Sequence, residues 1–318
     1  MSNVIVIAHR GASGERPEHT LESYRLAIEQ GADYIEPDLV MTRDGILIAR
    51  HENEIGGTTD VADHPQFAAR RRTQVIDGDT MTGWFTEDFT LAEVKTLRAR
   101  ERLPALRPQN RRFDGRFTVA TLDEILQLLI DANGRRGAGP GRGAGLRVGI
   151  YPETKHPAHF AAIGLAQEAL LLRALERFGY GEGSPVFIQS FDPNNLRQLS
   201  EMTTLPLVQL LEHEVGDLST IAEYADAIGL AKPLATSEHV AAAHDRGLAV
   251  HVWTFRAENQ FLPEDLRSGP APDAHGNLEA EIERYLARGI DGFFTDFPAT
   301  GVRVRNATFP QPSPNTNR

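Results

Sequence analysis

Short apolar runs alternate with helix-period stretches along most of this chain, and that alternation limits the fold more than any other feature. Runs rich in Val, Ile, Leu and Phe occupy residues 4–9, 34–39, 146–151, 186–191, 206–211, 227–231, 248–254 and 292–295. Between them, helical spacing appears over 20–30, 121–132, 158–178, 193–201, 218–225, 237–246 and 278–288. Strands separated by helices in this way build a parallel sheet. About eight such units is the count of a TIM barrel, and 318 residues accommodate one barrel with an insertion. The expected class is α/β, a TIM (β/α)8 barrel, with 1–318 as a single domain. Thr20 supplies an N-cap for the first helix and Gly31 a natural stop.

One strand departs from the pattern. Residues 46–51 follow 39–42 through Arg43-Asp44-Gly45 alone. A link that short makes no parallel crossover, so it predicts a hairpin. Pairing around that turn brings His51 back opposite Pro37 or Asp38.

Three stretches fall outside the repeat. Residues 52–117 contain Gly56-Gly57, several prolines and Arg70-Arg71-Arg72, and read as an inserted cap over the barrel mouth. Residues 133–145 are Gly- and Arg-rich and read as a flexible loop. An anion-binding loop is the other reading, but the P-loop spacing is missing. The tail, 309–318, is rich in Pro and Asn and is expected to fray.

Composition narrows the functional classes. Hydrophobic residues are 41%, enough for a full core, yet no apolar stretch approaches the ~20 residues of a membrane span. The absence of cysteine excludes disulfides and thiolate metal sites. A net charge of −11 argues against a broad nucleic-acid surface. No basic, apolar leader precedes the first strand, so the expected location is cytoplasmic, or periplasmic or secreted if a leader has been removed.

The chemistry gathers at strand ends. His9-Arg10-Gly11 closes the first apolar run. The histidine moves protons near neutral pH, the arginine grips paired anionic oxygens, and the glycine lets the backbone turn sharply. Glu36 and Asp38, two apart on a strand, point to one side. Two such carboxylates repel each other unless a cation lies between them, and Glu153 offers a third oxygen. Loop capping or pairing with arginines is the alternative. An all-carboxylate set favours one hard divalent ion, Mg²⁺ or Ca²⁺.

Other residues complete the reading. His9 and His51 suit general acid and base work at a phosphodiester. Arg10 and Lys155 bring positive charge where phosphoryl oxygens gather it. They also suit salt bridges to the nearby acids. Glu18 is left between the metal's surroundings, a ligand hydroxyl, Arg10 and a simple first-turn acid. Gln189, Phe191, Trp253 and Asp296 suit a pocket wall, although core packing accounts for each taken alone. His19 and His251 either line the pocket or pack.

Taken in order, these segments resemble the glycerophosphodiester phosphodiesterase family. The resemblance rests on His9-Arg10-Gly11, Pro17-Glu18-His19-Thr20, the run 31–38 ending in Glu36-Pro37-Asp38, and Thr42-Arg43-Asp44-Gly45 with His51. Tyr151-Pro152-Glu153-Thr154-Lys155, Gln189-Ser190-Phe191, Val252-Trp253-Thr254 and Thr295-Asp296-Phe297-Pro298 complete it. The block after His51 is similar to the longer bacterial branch. His19 stands where many members have Asn.

The resemblance implies a TIM barrel with the hairpin inserted. It implies a metal held by Glu36, Asp38 and Glu153, and a catalytic pair of His9 and His51. It implies phosphate contacts from Arg10 and Lys155, and a wall of Phe191 and Trp253 beside the glycerol. The implied reaction takes a small glycerophosphodiester to glycerol 3-phosphate and an alcohol, through a cyclic phosphate. Two other readings remain: a phospholipase D-like lyase that stops at the cyclic phosphate, and a barrel that binds phosphate esters without turnover.

Overall fold

Each apolar run forms a parallel strand in the computed structural model of the chain, which is described over residues 4–136 and 147–310. In chain order the strands are β1 (Ile5–His9), β2 (Tyr34–Glu36), β3 (Asp38–Met41), β4 (Leu47–Ala49), β5 (Arg72–Ile76), β6 (Asp79–Gly83), β7 (Gly149–Ile150), β8 (Glu153–Thr154), β9 (Ile188–Ser190), β10 (Leu207–Leu211), β11 (Ala227–Ala231), β12 (Ala249–Phe255) and β13 (Gly292–Thr295). Pro37 splits the expected strand 34–39, and past the expected 146–151 strand Pro152 precedes a further short one; proline has no N–H to give a ladder. Pro37 divides β2 from β3, and Pro152 separates β7 from β8.

That division is how the sheet closes. β2 lies between β1 and β7, while β3 pairs with β8, which pairs with β9. Counting β2/β3 and β7/β8 as one strand each, eight parallel strands run β1, β2/β3, β7/β8, β9, β10, β11, β12, β13 and back to β1. The breaks do not interrupt bonding: Tyr151 N donates to Ile35 O and Glu153 N to Pro37 O, both at 2.9 Å. β4 is the predicted antiparallel addition, with Leu39 opposite Ala49 and Met41 opposite Leu47.

Side chains alternate across this ring with period two. Ile7, Tyr151, Val208, Ala227 and Phe294 pack together inside it. Their neighbours Val6, Ala8, Ile228, Val250 and Phe293 belong to the larger core beneath the helices. Extending the inward series by one step along β1, β2, β12 and β13 reaches His9, Glu36, Trp253 and Asp296. The barrel interior therefore changes from apolar packing to polar chemistry at the C-terminal ends of its strands, where TIM barrels carry their sites.

Several helices differ from expectation. The 158–178 stretch is two helices, Pro157–Ala162 and Glu168–Arg177, because Gly164 takes a left-handed φ of +79° that ends the first. The 218–225 helix is only Leu218–Ile221. A last helix, Pro298–Thr308, has little apolar periodicity and was not expected. Its Arg305 is buried and paired with Asp33, which ties the end of the chain beneath the first strands. Residues 133–136 are helical, as the end of Leu122–Arg136, and the rest of the expected Gly/Arg loop lies outside the described residues. So does all of the expected tail beyond Pro310.

The 52–117 block is mostly irregular, with four short 3-10 turns, the one-turn helix Leu91–Val94 and a separate two-stranded hairpin of β5 and β6. Asp77 and Gly78 at its tip both take positive φ, the requirement of a two-residue type I′ turn. No helix among the described residues is long and apolar enough to cross a membrane.

Candidate active site

A cavity of about 250 Å³ opens at the C-terminal ends of the barrel strands. Of the residues selected from sequence, His9, Arg10, Glu36, His51, Glu153, Lys155, Gln189, Phe191 and Trp253 all line it. Asp38 and Glu18 sit just behind, bonded to residues that do. The hairpin accounts for His51. Arg50 N donates to Asp38 O at 3.0 Å, which continues the β3–β4 ladder and sets residue 51 opposite Pro37.

The turn after β1 needs unusual backbone. Gly11 has φ +87°, and a Cβ there would fall 2.4 Å from Ser23 Oγ and 2.7 Å from the Ser23 carbonyl carbon. Arg10 and His19 also take left-handed φ, +57° and +55°. Non-glycine residues adopt that region at a cost of roughly 1–3 kcal/mol, and they cluster at functional sites. Here the strain directs Arg10 N onto Glu36 Oε2 at 2.8 Å and His19 Nε2 onto Asp38 Oδ2 at 2.9 Å.

Glu36, Asp38 and Glu153 are all buried, and a ligand oxygen from each lies within 4.8 Å of the others. Burial, reinforced by Asp38, pushes the Glu36 carboxyl well above the usual range. Burial also takes Glu153 up to about 8, against the opposing pull of Lys155. For Asp38, burial is outweighed by Lys155, His19 and Arg10, and its carboxyl is held well below the usual value. The set fits a hard divalent cation: three oxygens converge, and an arriving cation stabilises two acids that burial otherwise keeps protonated. Gln189 Nε2 donates to Glu36 Oε1 at 3.1 Å, while its own Oε1 is buried without a partner.

Each histidine has a carboxylate at its Nδ1. His9 Nδ1 lies 2.6 Å from Asp296 Oδ1, and His51 Nδ1 lies 2.5 Å from Glu52 Oε1. That contact favours the Nδ1–H tautomer, in which Nε2 is the nitrogen able to accept a proton. Burial, helped by Arg10, takes His9 down to about 4 against the opposing pull of Asp296. Burial with Arg10 and Lys155 takes His51 down to about 3 despite Glu52. Both imidazoles are therefore neutral at pH 7 in the free protein.

The remaining lining divides into cations and an apolar wall. Lys155 Nζ lies 2.7 Å from Glu153 Oε1 and 5.5 Å from the centre of the Phe191 ring. Phe191 and Trp253 meet edge to face at 5.7 Å, and Trp253 Nε1 donates to Gly229 O at 2.9 Å. Glu18 does not line the cavity: Arg10 and Arg102 occupy its carboxylate. Of the roles left open for it, the pairing with Arg10 is made.

Several site residues escaped the sequence reading. Arg256 lines the cavity and reaches Asp296 Oδ2 at 3.1 Å. Arg50, fully buried, donates to the carbonyls of Ala49, Thr58, Glu18 and His19, and so ties the base of the His51 turn to the first loop. Arg102 and Arg107 come from the 52–117 block. Of the two ambiguous histidines, His19 orients Asp38. His251 bonds Tyr151 Oη at 2.7 Å within the barrel core.

The model of the glycerophosphoryl diester phosphodiesterase family matches residues 9–300. The chain belongs to the glycerophosphoryl diester phosphodiesterase family. Glycerophosphodiester phosphodiesterase GDPD6 of Arabidopsis thaliana is 35% identical, with 96% of this chain and 87% of the relative aligned. The Haemophilus influenzae glycerophosphodiester phosphodiesterase is 29% identical over 95% of this chain and 89% of its own. In three dimensions, an Oleispira antarctica phosphodiesterase solved with the product sn-glycerol-3-phosphate superposes at a TM-score of 0.67, with 18% identity, 94% of this chain and 96% of that one. The Agrobacterium tumefaciens glycerophosphodiester phosphodiesterase gives 0.59, with 20% identity, 93% of this chain and 98% of that one. At those identities the two structures speak to the fold, a TIM barrel shared with this phosphodiesterase family.

Proposed function

We propose that this chain hydrolyses glycerophosphodiesters to glycerol 3-phosphate and an alcohol, with His9 and His51 as the acid–base pair. The observation that carries the reading is the pairing itself. Two histidines, each with a carboxylate at Nδ1, face one cavity lined also by Glu36 and Glu153, which converge with Asp38 behind them, and by the cations Arg10 and Lys155. A site that only binds a phosphate ester has no use for two proton-transfer groups.

In the proposed course, a free hydroxyl of the substrate's glycerol attacks phosphorus as one imidazole takes its proton. The bond to the leaving oxygen breaks as the other imidazole supplies a proton to the departing alcohol. Water then opens the cyclic phosphate with the two roles exchanged. Acid–base transfer of this kind contributes about 10²–10⁴-fold. Arg10 and Lys155 hold the non-bridging oxygens where negative charge increases. Burial, with Arg10 and Lys155, holds the His51 pKa down, and the arriving phosphodiester anion opposes the part due to those two cations. Glu36, Asp38 and Glu153 are the residues that would hold a divalent ion, Mg²⁺ or Ca²⁺. When bound, that ion supplies electrostatic stabilisation at phosphorus and lowers the pKa of a nearby hydroxyl. The Phe191–Trp253 wall suits the glycerol's carbon face.

The test is direct. Metal-stripped protein is incubated with glycerophosphocholine, with and without Mg²⁺ or Ca²⁺, and glycerol 3-phosphate is assayed. Metal-dependent release is expected. Accumulation of cyclic phosphate would replace the hydrolase reading with the lyase one, and untouched diester with every ion would contradict both.

A further inference from the structure

The irregular block after His51 reaches the carboxylates that stand behind both cavity histidines. Its segment 101–107 presents two arginines, five residues apart, one to Glu52 and one to Asp296. Arg102 makes a fork to Glu52, with Nη1 to Oε1 at 2.8 Å and Nη2 to Oε2 at 2.7 Å. The same guanidinium holds Glu18 through Nε and Nη2 at 2.7 and 2.6 Å. Arg107 Nη2 meets Asp296 Oδ2 at 2.5 Å, while its Nε holds Glu258 at 2.5 Å and its Nη1 the Ser13 carbonyl at 2.9 Å. Glu52 and Asp296 are the two carboxylates behind His51 and His9. Neither arginine lines the cavity.

The chemistry of the contacts argues for orientation over bulk stability. A glutamate bonded through one oxygen still turns about its side-chain bonds, and its histidine turns with it. A planar guanidinium on the second oxygen fixes the carboxylate's plane, and through it the direction of imidazole Nε2. Burying such ion pairs is costly, and apolar replacements often stabilise a fold at least as well, so fold stability alone gives weak reason for them. Arg107 is 3% exposed and pays the larger desolvation cost.

We infer that Arg102 and Arg107 are positioning residues, through which the inserted segment sets the geometry of both proton-transfer histidines. The inference rests on His9 and His51 being the acid–base pair. Its test compares Arg102→Met and Arg102→Lys, and the same changes at Arg107, in metal-loaded full-length protein with glycerophosphocholine.

Arg102→Met is expected to lower kcat roughly 10–100-fold, the range for loss of an orienting partner, with KM within about threefold of native. Arg102→Lys, which keeps charge but loses the fork, should recover part of that loss. Arg107→Met should behave alike on the His9 side. Arg102 is the more exposed, so its variants keep the inference open to refutation if Arg107→Met does not fold. Native kcat in folded Arg102→Met overturns the inference, as does a loss that falls on KM alone. His9→Ala and His51→Ala are run alongside. If they retain activity, the acid–base reading itself has failed; if they are dead while the arginine variants are native, only the positioning role has.

Discussion

The two cavity histidines proposed as the acid–base pair sit in contrasting surroundings. His9 and its partner Asp296 are 287 residues apart in sequence, and they meet only because β13 closes the ring against β1. Both are nearly sealed from solvent, and Asp296 is shared with Arg107 and Arg256. His51 and Glu52 are adjacent in sequence, and their side chains are 30% and 24% exposed. One dyad is a product of the whole fold. The other is a local pair on a hairpin end, steadied by an arginine from an irregular loop. The same chemical device can therefore be assembled by global topology or by local sequence, and the two should fail differently.

Asp296→Asn should have the largest effect. It removes the anion shared by His9 and two guanidinium groups, leaving Arg107 with Glu258 alone and taking from Arg256 the carboxylate it reaches. Breaking a buried pair costs about 3–5 kcal/mol, and an amide behind a catalytic histidine has cost about 10⁴-fold elsewhere by favouring the wrong tautomer. Thermal unfolding and kcat should both fall. Unchanged stability in this variant would mean that the closed-ring dyad is not coupled to the fold as described.

Glu52→Gln should cost activity but little stability. Arg102 keeps Glu18, and the pair is partly solvated, so a loss of roughly 10–100-fold in kcat is expected. The melting temperature should move by no more than a few degrees, since part-exposed pairs contribute about 1 kcal/mol or less. A collapse comparable to Asp296→Asn would erase the distinction between the two sides.

A pH effect concerns the segment that carries both arginines. Glu101, buried beside Arg102, accepts from Leu103 N and Asn110 Nδ2, yet burial raises its carboxyl to about 7. In the unfolded chain it returns to 4.5, so between these values the folded protein binds the extra proton. Stability must then fall as pH rises from about 4.5 to 7, by roughly 3 kcal/mol at most. Glu101→Gln should flatten that decline. Melting curves of both proteins from pH 5 to 8 check the sign. A native melting temperature that rises relative to the variant over that range would contradict it.

The strand-end residues were legible in the sequence because strands impose a period of two. Once the apolar runs were placed, His9, Glu36, Asp38, Glu153, Gln189 and Trp253 fell on the inward series, and a short turn was enough to return His51 beside them. Breaks at Pro37 and Pro152 were not read, although proline's missing N–H was visible at both. The Asp77-Gly78 hairpin was also signalled by its turn residues and passed over. Arg102 and Arg107 had no such signal. They lie in an irregular loop just before the 3-10 turn Pro108–Phe113, without periodicity, and their partners Glu18, Glu52, Glu258 and Asp296 come from four separate stretches. Such pairings are set by the packing of loops on a finished barrel, which no local pattern records.

The central claim is that His9 and His51, so differently supported, act as one acid–base unit. A double-mutant cycle of His9→Ala and His51→Ala tests it most directly, with glycerol 3-phosphate release from glycerophosphocholine as the readout. Groups that act as a unit lose nearly everything with the first removal. The account predicts that each single variant is down by about 10²–10⁴-fold and that the double variant is little worse than either. Losses that multiply, or a single variant that turns over at the native rate, would contradict it.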